Sequence, residues 1–390
     1  MPMTPLRLAY LGSSMRNLGG AERVNSAVLT QLDRTRFEPH AIFLKTKGEL
    51  GGRLAEQGVF VHELGIRSRY EFPFAILRLR QTLKRLAVQV LFTAEDKLCM
   101  GLASIMRRWR VVPRYVVALH GTRTWRGYRA IAHVQAIRSA DRVVLLSERN
   151  KQFWQQQYNL PDSKVVVIPN GIPLGRFQVL SPEEKAVRRL QHGLHPSRFT
   201  VGLVAFFKDS KNLSGFVQVA RRVIDRGVDA QFVLVGDGPE RPLVEEAIRA
   251  NDLQARFHLP GITDAPELWY GMFDLALMTS ITEAFPLTLI EAMACGLPVV
   301  ATRVGGVPDI VLEGETGYIA EPHDLDALAA RVVSLAKDPS LWQRMSLAAR
   351  SHALSNFAVE SMLAGYTQLF LSLASPSEND HAPQANRRPS

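Results

Sequence analysis

Two glutamates eight positions apart, Glu283 and Glu291, bracket the stretch of this chain best suited to chemistry. Between them, Ala284-Phe285-Pro286-Leu287-Thr288 leads from an apolar strand ending near Met278 into a helix expected to begin at about Pro286. Proline suits the first helical position, because its missing N–H would have no acceptor there. The amides of Leu287 and Thr288 then point out of the helix N-terminus. With the macrodipole they make an anion site suited to a diphosphate. Glu291 follows Leu287 by four residues, a rise of about 6 Å. From there its carboxylate can accept two hydrogen bonds from a ribose diol. Glu283 precedes the helix, at the other end of the anion. Ordinary acidic residues at the start of a surface helix are the alternative reading of either glutamate taken singly.

The elements that must position these residues alternate regularly. Strands are expected at Leu6–Leu11, Pro39–Leu44, Val90–Thr93, Tyr115–Leu119, Arg142–Leu146 and Lys164–Ile168. Helices are expected at Ala21–Gln31, Phe74–Val88 and Arg129–Arg138. The rhythm breaks at Pro169-Asn170-Gly171-Ile172-Pro173, a turn or linker. After a charged helix, Pro182–Gln191, strands resume at Thr200–Phe206, Gln231–Val235, Arg256–Leu259, Leu275–Met278 and Pro298–Thr302. Such βα repetition implies parallel sheets. The boundary near Gly171–Leu180 divides a first domain, 1–172, from a second, 173–358. A final helix, 359–374, is expected to pack back toward the first domain, and the polar tail 375–390 to be disordered. In sheets of this kind ligands bind at the carboxyl ends of the strands, here the cleft between domains.

Composition narrows the class. The 390 residues suffice for two domains at roughly 100–200 residues each. A hydrophobic fraction of 46% and a charged fraction of 22% exclude a disordered, collagenous or disulfide-scaffold chain. The two cysteines, Cys99 and Cys295, are too far apart in sequence to suggest a zinc pair, and fit a reducing compartment. Neither a membrane-spanning run nor a signal peptide is visible, so the default location is the cytoplasm. The net charge of +10 is uneven: residues 1–200 carry 32 basic and 14 acidic side chains, residues 201–390 carry 15 and 23. The basic first half should favour an anionic partner.

The run Glu283-Ala-Phe-Pro-Leu-Thr-Leu-Ile-Glu291-Ala-Met-Ala-Cys-Gly-Leu-Pro-Val-Val closely resembles the Glu-x7-Glu signature of glycosyltransferase family 4. Other segments resemble that family's motifs in the same order. They are Gly19-Gly20-Ala21-Glu22-Arg23, His120 after an apolar strand, Pro169-Asn170-Gly171, Val235-Gly236-Asp237-Gly238-Pro239 and Gly305-Gly306-Val307-Pro308-Asp309. The resemblance covers nearly the whole chain. It implies a GT-B fold, two Rossmann-like α/β domains with parallel sheets facing an interdomain cleft. It also implies retaining, metal-independent transfer of a hexose or N-acetylhexosamine from a nucleotide sugar, a UDP-sugar being favoured. The acceptor would be lipid-linked, or of polysaccharide or lipopolysaccharide type. No cofactor is implied; the nucleotide sugar is a co-substrate.

By the same resemblance, Glu291 binds ribose, Glu283 contacts the donor sugar, and the backbone of Phe285, Leu287 and Thr288 holds the distal phosphate. His120 meets the donor sugar, and Lys211 the diphosphate. Gly20 lets a phosphate approach the first helix, Gly236 lies beside the nucleotide, and Gly261 and Ile262 line the base. A strand-end histidine with its bonds satisfied is the alternative for His120, and a tight turn for Gly20. The loop Gly12 to Gly20 lacks the G-x-G-x-x-G spacing of a nicotinamide enzyme.

One departure stands out. The family carries an arginine, four residues, then a lysine after the first strand of the second domain. Here Lys211 fills the lysine position and Phe206 the arginine position. Loss of a fixed cation should weaken stabilisation of the leaving diphosphate. Lys208 or Arg303 compensates, or the chain is catalytically silent and serves a partner transferase. A nucleotide-sugar 2-epimerase-like isomerase is the other alternative.

The basic half offers Arg78, Lys84 and Arg85 on an amphipathic helix, then Arg107, Arg108, Trp109 and Arg110. Arg123 and Arg126 follow His120 with Trp125 and Tyr128 interleaved, and are expected to touch the acceptor. Cations among aromatics suit an anionic membrane surface, which would place the protein peripherally on the inner face of the cytoplasmic membrane. A solvated helix face is the alternative for the first segment. Nucleic acid is disfavoured, because the cations are scattered and no binding motif accompanies them.

Overall fold

The computed structural model describes residues 4–14, 19–67, 69–94, 96–120 and 128–374. Arg123 and Arg126 lie outside the described residues, as do Trp125 and the tail from 375 onward.

The apolar runs at the centre of each sheet become strands buried on both faces, as parallel sheets covered by helices require. The first sheet contains β1 (Leu6–Gly12), β2 (Phe37–Phe43), β3 (Phe60–Glu63), β4 (Val90–Thr93), β5 (Arg114–Ala118), β6 (Arg142–Leu145) and β7 (Val165–Val167). The second contains β8 (Phe199–Val204), β9 (Ala230–Val235), β10 (Phe257–Gly261), β11 (Leu275–Met278), β12 (Val299–Thr302) and β13 (Gly317–Ala320). All pairings described are parallel, in the orders β3-β2-β1-β4-β5-β6-β7 and β10-β9-β8-β11-β12-β13. The α/β, doubly wound architecture expected from the sequence is therefore present in both halves. Each order reverses once, between β1 and β4 and between β8 and β11. Loops leaving neighbouring strands there diverge to opposite faces and open a crevice.

Several boundaries differ from expectation, two of them beside the cleft. Pro286 is extended (ψ 106°) and caps the helix Leu287–Ala294 rather than opening it. β8 ends at Val204, because the chain turns into a short 3-10 helix at Asp209–Lys211. β3 and β13 were not anticipated. Both are four-residue edge strands, and β3 is partly exposed, so neither carries the continuous apolar run that marks a central strand.

The chain passes from one half to the other at two adjoining points. Ile172 and Ala358 form a parallel bridge, with Ile172 N donating to Phe357 O at 2.9 Å and Val359 N donating to Ile172 O at 3.0 Å. The final helix, Val359–Ala374, then packs on the first half. The ring centroids of Tyr366 and Phe370 stand 5.7 and 5.8 Å from that of Phe92, and Phe370 lies 6.4 Å from Phe37. Burial of each such ring contributes about 1.5–3 kcal/mol, ample to anchor the C-terminal helix.

Gly171 makes this double crossing possible: a Cβ there would fall 2.4 Å from Ala358 O. Backbone on that side cannot yield as a flexible side chain does. Gly171→Ala should therefore cost about 1–3 kcal/mol of stability, measured as a lower denaturation midpoint with an unchanged slope.

Candidate active site

The site forms where the second sheet reverses its order. β11 delivers Thr279 and Ser280 to its carboxyl end, and β8 delivers the loop 205–212. Thr279 Oγ1 donates to Asn212 O at 2.8 Å, and Ile281 N donates to Ser210 O at 2.9 Å, tying the two loops. Thr302 Oγ1, at the end of β12, donates to Ser280 O at 2.5 Å. The loop holding Glu283 is thus clamped from both neighbouring strands. A third clamp comes from Gly305 and Gly306. Gly305 is left-handed (φ +52°), and a Cβ there would lie 1.6 Å from Glu283 O; Gly306 N donates to Ala284 O at 2.8 Å. Only glycine permits that approach.

Glu283 is held as tightly through its side chain. Lys211 Nζ and Ser280 Oγ both donate to its Oε1 at 2.6 Å. Lys211 and Glu283 are 13% and 11% exposed, so this is a nearly buried ion pair opening on the cleft. The two catalytic candidates of the second half are therefore brought together as one unit.

The helix Leu287–Ala294 follows Pro286 with no acidic residue in its first turn and no side-chain cap. The amides of Leu287 and Thr288 lie at that end, ahead of any carbonyl of a preceding turn. Thr288 Oγ1 turns inward, donating to Val204 O at 2.8 Å and accepting from the buried Tyr270 hydroxyl. Phe285 is buried, with its ring centroid 6.0 Å from that of Phe357, so it faces the cleft through its backbone alone.

Glu291 is buried one turn inside this helix. Arg23 Nη1, from the other half, stands 2.7 Å from its Oε1. The guanidinium N–H does not point along that line, so Oε1 keeps an unmet hydrogen-bond acceptor. Burial pushes the Glu291 carboxyl above its ordinary range, and Arg23 and the Tyr270 hydroxyl oppose that shift. Gly20, at the start of the helix Gly20–Gln31, faces the same place: a Cβ on it would lie 3.6 Å from Leu287 Cδ1. Two helix N-termini, one from each half, thereby meet across the cleft.

Other expected site residues distribute as follows. His120 follows β5 and is buried, neither ring nitrogen having a hydrogen-bond partner among the described residues. Burial lowers its pKa to about 4, which keeps the ring neutral. Gly236 (φ +136°) runs so close to the β8 loop that a Cβ would fall 1.9 Å from Ala205 O, and its N–H donates to Gly261 O at 2.7 Å. The ends of β8, β9 and β10 therefore converge. Ile262 is 79% exposed beside them, and Phe206 is 58% exposed. Lys208 is exposed, whereas Arg303 pairs with Glu321 at 3.2 Å on the surface.

Sequence reasoning assigned no role to Arg23, Tyr270, Ser280 or the Ser147–Asp309 contact. Ser147 Oγ donates to Asp309 Oδ2 at 2.8 Å, and Arg149 Nε lies 3.3 Å from Asp309 Oδ1, so the loop after Gly306 also touches the first half. Arg23 had a faint signal, one turn into the first helix beside the glycine pair. Tyr270 had none.

The basic surface is less uniform than expected. Arg107 pairs with Asp141 at 2.7 Å, and Arg78 Nη1 donates to Leu64 O at 2.7 Å, so both serve the fold. Arg80, Lys84, Arg85, Arg108 and Arg110 are exposed, beside the exposed Tyr70, Phe74, Leu77 and Trp109. Among the described residues, no helix is long and apolar enough to cross a membrane.

Comparison with known proteins bears on the family and the fold. Residues 18–176 match the family model described as Glycosyltransferase Family 4, and residues 198–338 match the one described as Glycosyl transferases group 1. Among similar proteins is N-acetyl-alpha-D-glucosaminyl L-malate synthase of Bacillus anthracis, 31% identical over 189 residues, covering 48% of this chain and 49% of that one. A D-inositol 3-phosphate glycosyltransferase of Kribbella flavida is 27% identical, covering 61% and 59%. The chain spans about half the length of the curated relatives it matches. A glycosyltransferase from Rickettsia africae has a similar structure, with a TM-score of 0.83, 22% identity, and coverage of 96% of this chain and 100% of that one. Anabaena Alr3699/HepE, solved in complex with UDP, has a TM-score of 0.83, 20% identity and coverage of 95% and 100%. The chain has the GT-B fold and belongs to the family 4, group 1 glycosyltransferases.

Proposed function

We propose that this chain transfers a hexose or N-acetylhexosamine, with retention of configuration, from a nucleoside diphosphate sugar to a lipid-linked or polysaccharide-type acceptor. The observation that carries the reading is the Lys211–Glu283 pair at the mouth of the helix Leu287–Ala294, with Glu291 buried one turn inside. A diphosphate at that mouth meets two backbone amides, a helix dipole and one ammonium. Its ribose reaches Glu291, whose Oε1 has an acceptor to offer. A UDP-sugar is favoured, in keeping with the UDP found with Alr3699/HepE.

The chemistry follows from charge. The bond between the anomeric carbon and the distal phosphate oxygen breaks, and negative charge grows on that phosphate. Lys211 and the amides of Leu287 and Thr288 stabilise it. The acceptor oxygen bonds the anomeric carbon from the face the phosphate leaves, and the departing phosphate oxygen takes the acceptor proton. Glu283, fixed by Lys211 and Ser280, orients sugar hydroxyls. Neutral His120 hydrogen-bonds the sugar from the first half. In this reading no metal has a role. Phe206 motivates the second reading, a silent GT-B subunit that binds nucleotide and a partner chain.

The acceptor side carries cations and exposed aromatics on one surface. In this reading the helix Phe72–Arg85 and Trp109 rest on an anionic bilayer that holds the acceptor.

Three outcomes test the proposal. In a thermal-shift screen of UDP, GDP, ADP and their sugars, one nucleoside diphosphate should raise the melting temperature, and nucleotide should be released only when an acceptor is present. Turnover to an epimer without acceptor, or no turnover with capture of a partner transferase, would refute it. Glu291→Ala should weaken that nucleotide about tenfold or more and abolish transfer; unchanged affinity would sink the site assignment. The variant carrying Phe74→Glu and Trp109→Glu should co-sediment several-fold less with phosphatidylglycerol vesicles than the parent, and equal sedimentation would remove the membrane from the proposal.

A further inference from the structure

The phosphate end of the site lacks the family's arginine, and the exposed Lys208 lies two residues beyond that position. Phe206 stands where the family has an arginine, and its ring is turned to solvent. Lys211 supplies one charge there, shared with Glu283. Arg303 points to the surface, where it pairs with Glu321. A further guanidinium reaches the same place from the opposite half. Arg23 sits one turn into the helix Gly20–Gln31, with Nη1 2.7 Å from Glu291 Oε1. Glu291 lies about 6 Å along its helix from Leu287, and Leu287 packs against Gly20. Arg23 therefore hangs between two facing helix N-termini.

That placement is electrostatically awkward without an anion. Each helix N-terminus carries roughly half a positive charge, and Arg23 adds a full one. Among the described residues its ion-pair partner is Glu291, held in a buried position that raises its own pKa. The contact is close but poorly aligned, so Oε1 can still accept a better-directed donor. A nucleoside diphosphate resolves both defects. Ribose hydroxyls donate to Glu291, and the phosphates bring negative charge to the two helix ends.

We infer that Arg23 is the diphosphate-binding cation of this chain, supplied across the cleft in place of the one lacking at position 206. In the free protein it is parked on Glu291; when the donor arrives, ribose takes Glu291 and the guanidinium turns to the phosphates. The inference rests on the reading of Glu291 as the ribose ligand. It also makes donor binding a two-sided event, since the halves must be closed for Arg23 to reach.

The test compares UDP with uridine, by calorimetry and ligand-observed NMR on the full chain, or GDP with guanosine if the screen selects that base. Arg23→Gln should weaken the diphosphate about tenfold or more and the nucleoside less than about twofold. Phe206→Arg added to Arg23→Gln should recover most of the loss. Equal losses for nucleoside and diphosphate would show that Arg23 acts only through Glu291, and would overturn the inference, as would an unchanged diphosphate affinity. Failure of Phe206→Arg to rescue would overturn the claim that Arg23 stands in for position 206. Should Arg23→Gln not fold, Arg23→Lys keeps a charge and should show an intermediate, diphosphate-selective loss; a loss shared equally with the nucleoside would again overturn the inference. A parent protein that binds neither ligand would instead remove the donor-site reading, and the inference with it.

Discussion

The ion pair between Lys211 and Glu283 is the constraint around which the cleft is built. Two nearly buried opposite charges at 2.6 Å are costly to separate, because either one alone would be left desolvated. Their union fixes two loops from strands that neighbour each other where the sheet order reverses. Every clamp on that region serves the same end. Thr279 and Thr302 tie the loop to β8 and β12, and the glycine pair 305–306 lies flat against its carbonyls. A carboxylate held so firmly can orient a substrate without rearranging.

The opposing half contributes by closure. The final helix returns to the first sheet and locks onto Phe92 and Phe37, so both chain crossings lie together beside Gly171 and Ala358. Across the cleft stand the contacts Arg23–Glu291 and Ser147–Asp309. Beside the apolar approach of Leu287 to Gly20, these contacts, with Arg149 also on Asp309, are polar. Contacts of that kind exchange readily for a bound anion or sugar, whereas packed aromatic rings do not.

Charge asymmetry takes on a more definite meaning in three dimensions. The basic excess of residues 1–200 is partly consumed by the fold, as Arg107 with Asp141 and Arg78 with the Leu64 carbonyl show. What remains exposed clusters with Phe74, Leu77 and Trp109. The acidic second half nonetheless carries a helix N-terminus with free amides beside one lysine at the cleft. Net charge is thus a poor guide to the sign of a site, because backbone dipoles do not enter it.

The sequence by itself determined the parallel α/β architecture, the break near Gly171 and the Glu283–Glu291 helix. Continuous apolar runs and a proline before a helix are local signals, legible without knowing what packs where. Edge strands β3 and β13 escaped notice because one face or edge is left open and the apolar run is short. Tertiary structure alone decided which charges meet. Lys211 and Glu283 are 72 positions apart, and Arg23 and Glu291 lie in different halves. Nor does any local pattern tell that Tyr270 lies against Thr288 or that Arg303 is spent on Glu321. Ion pairing depends on distance in space and on burial. Both are set only when the sheets have formed and the last helix has drawn the two halves together.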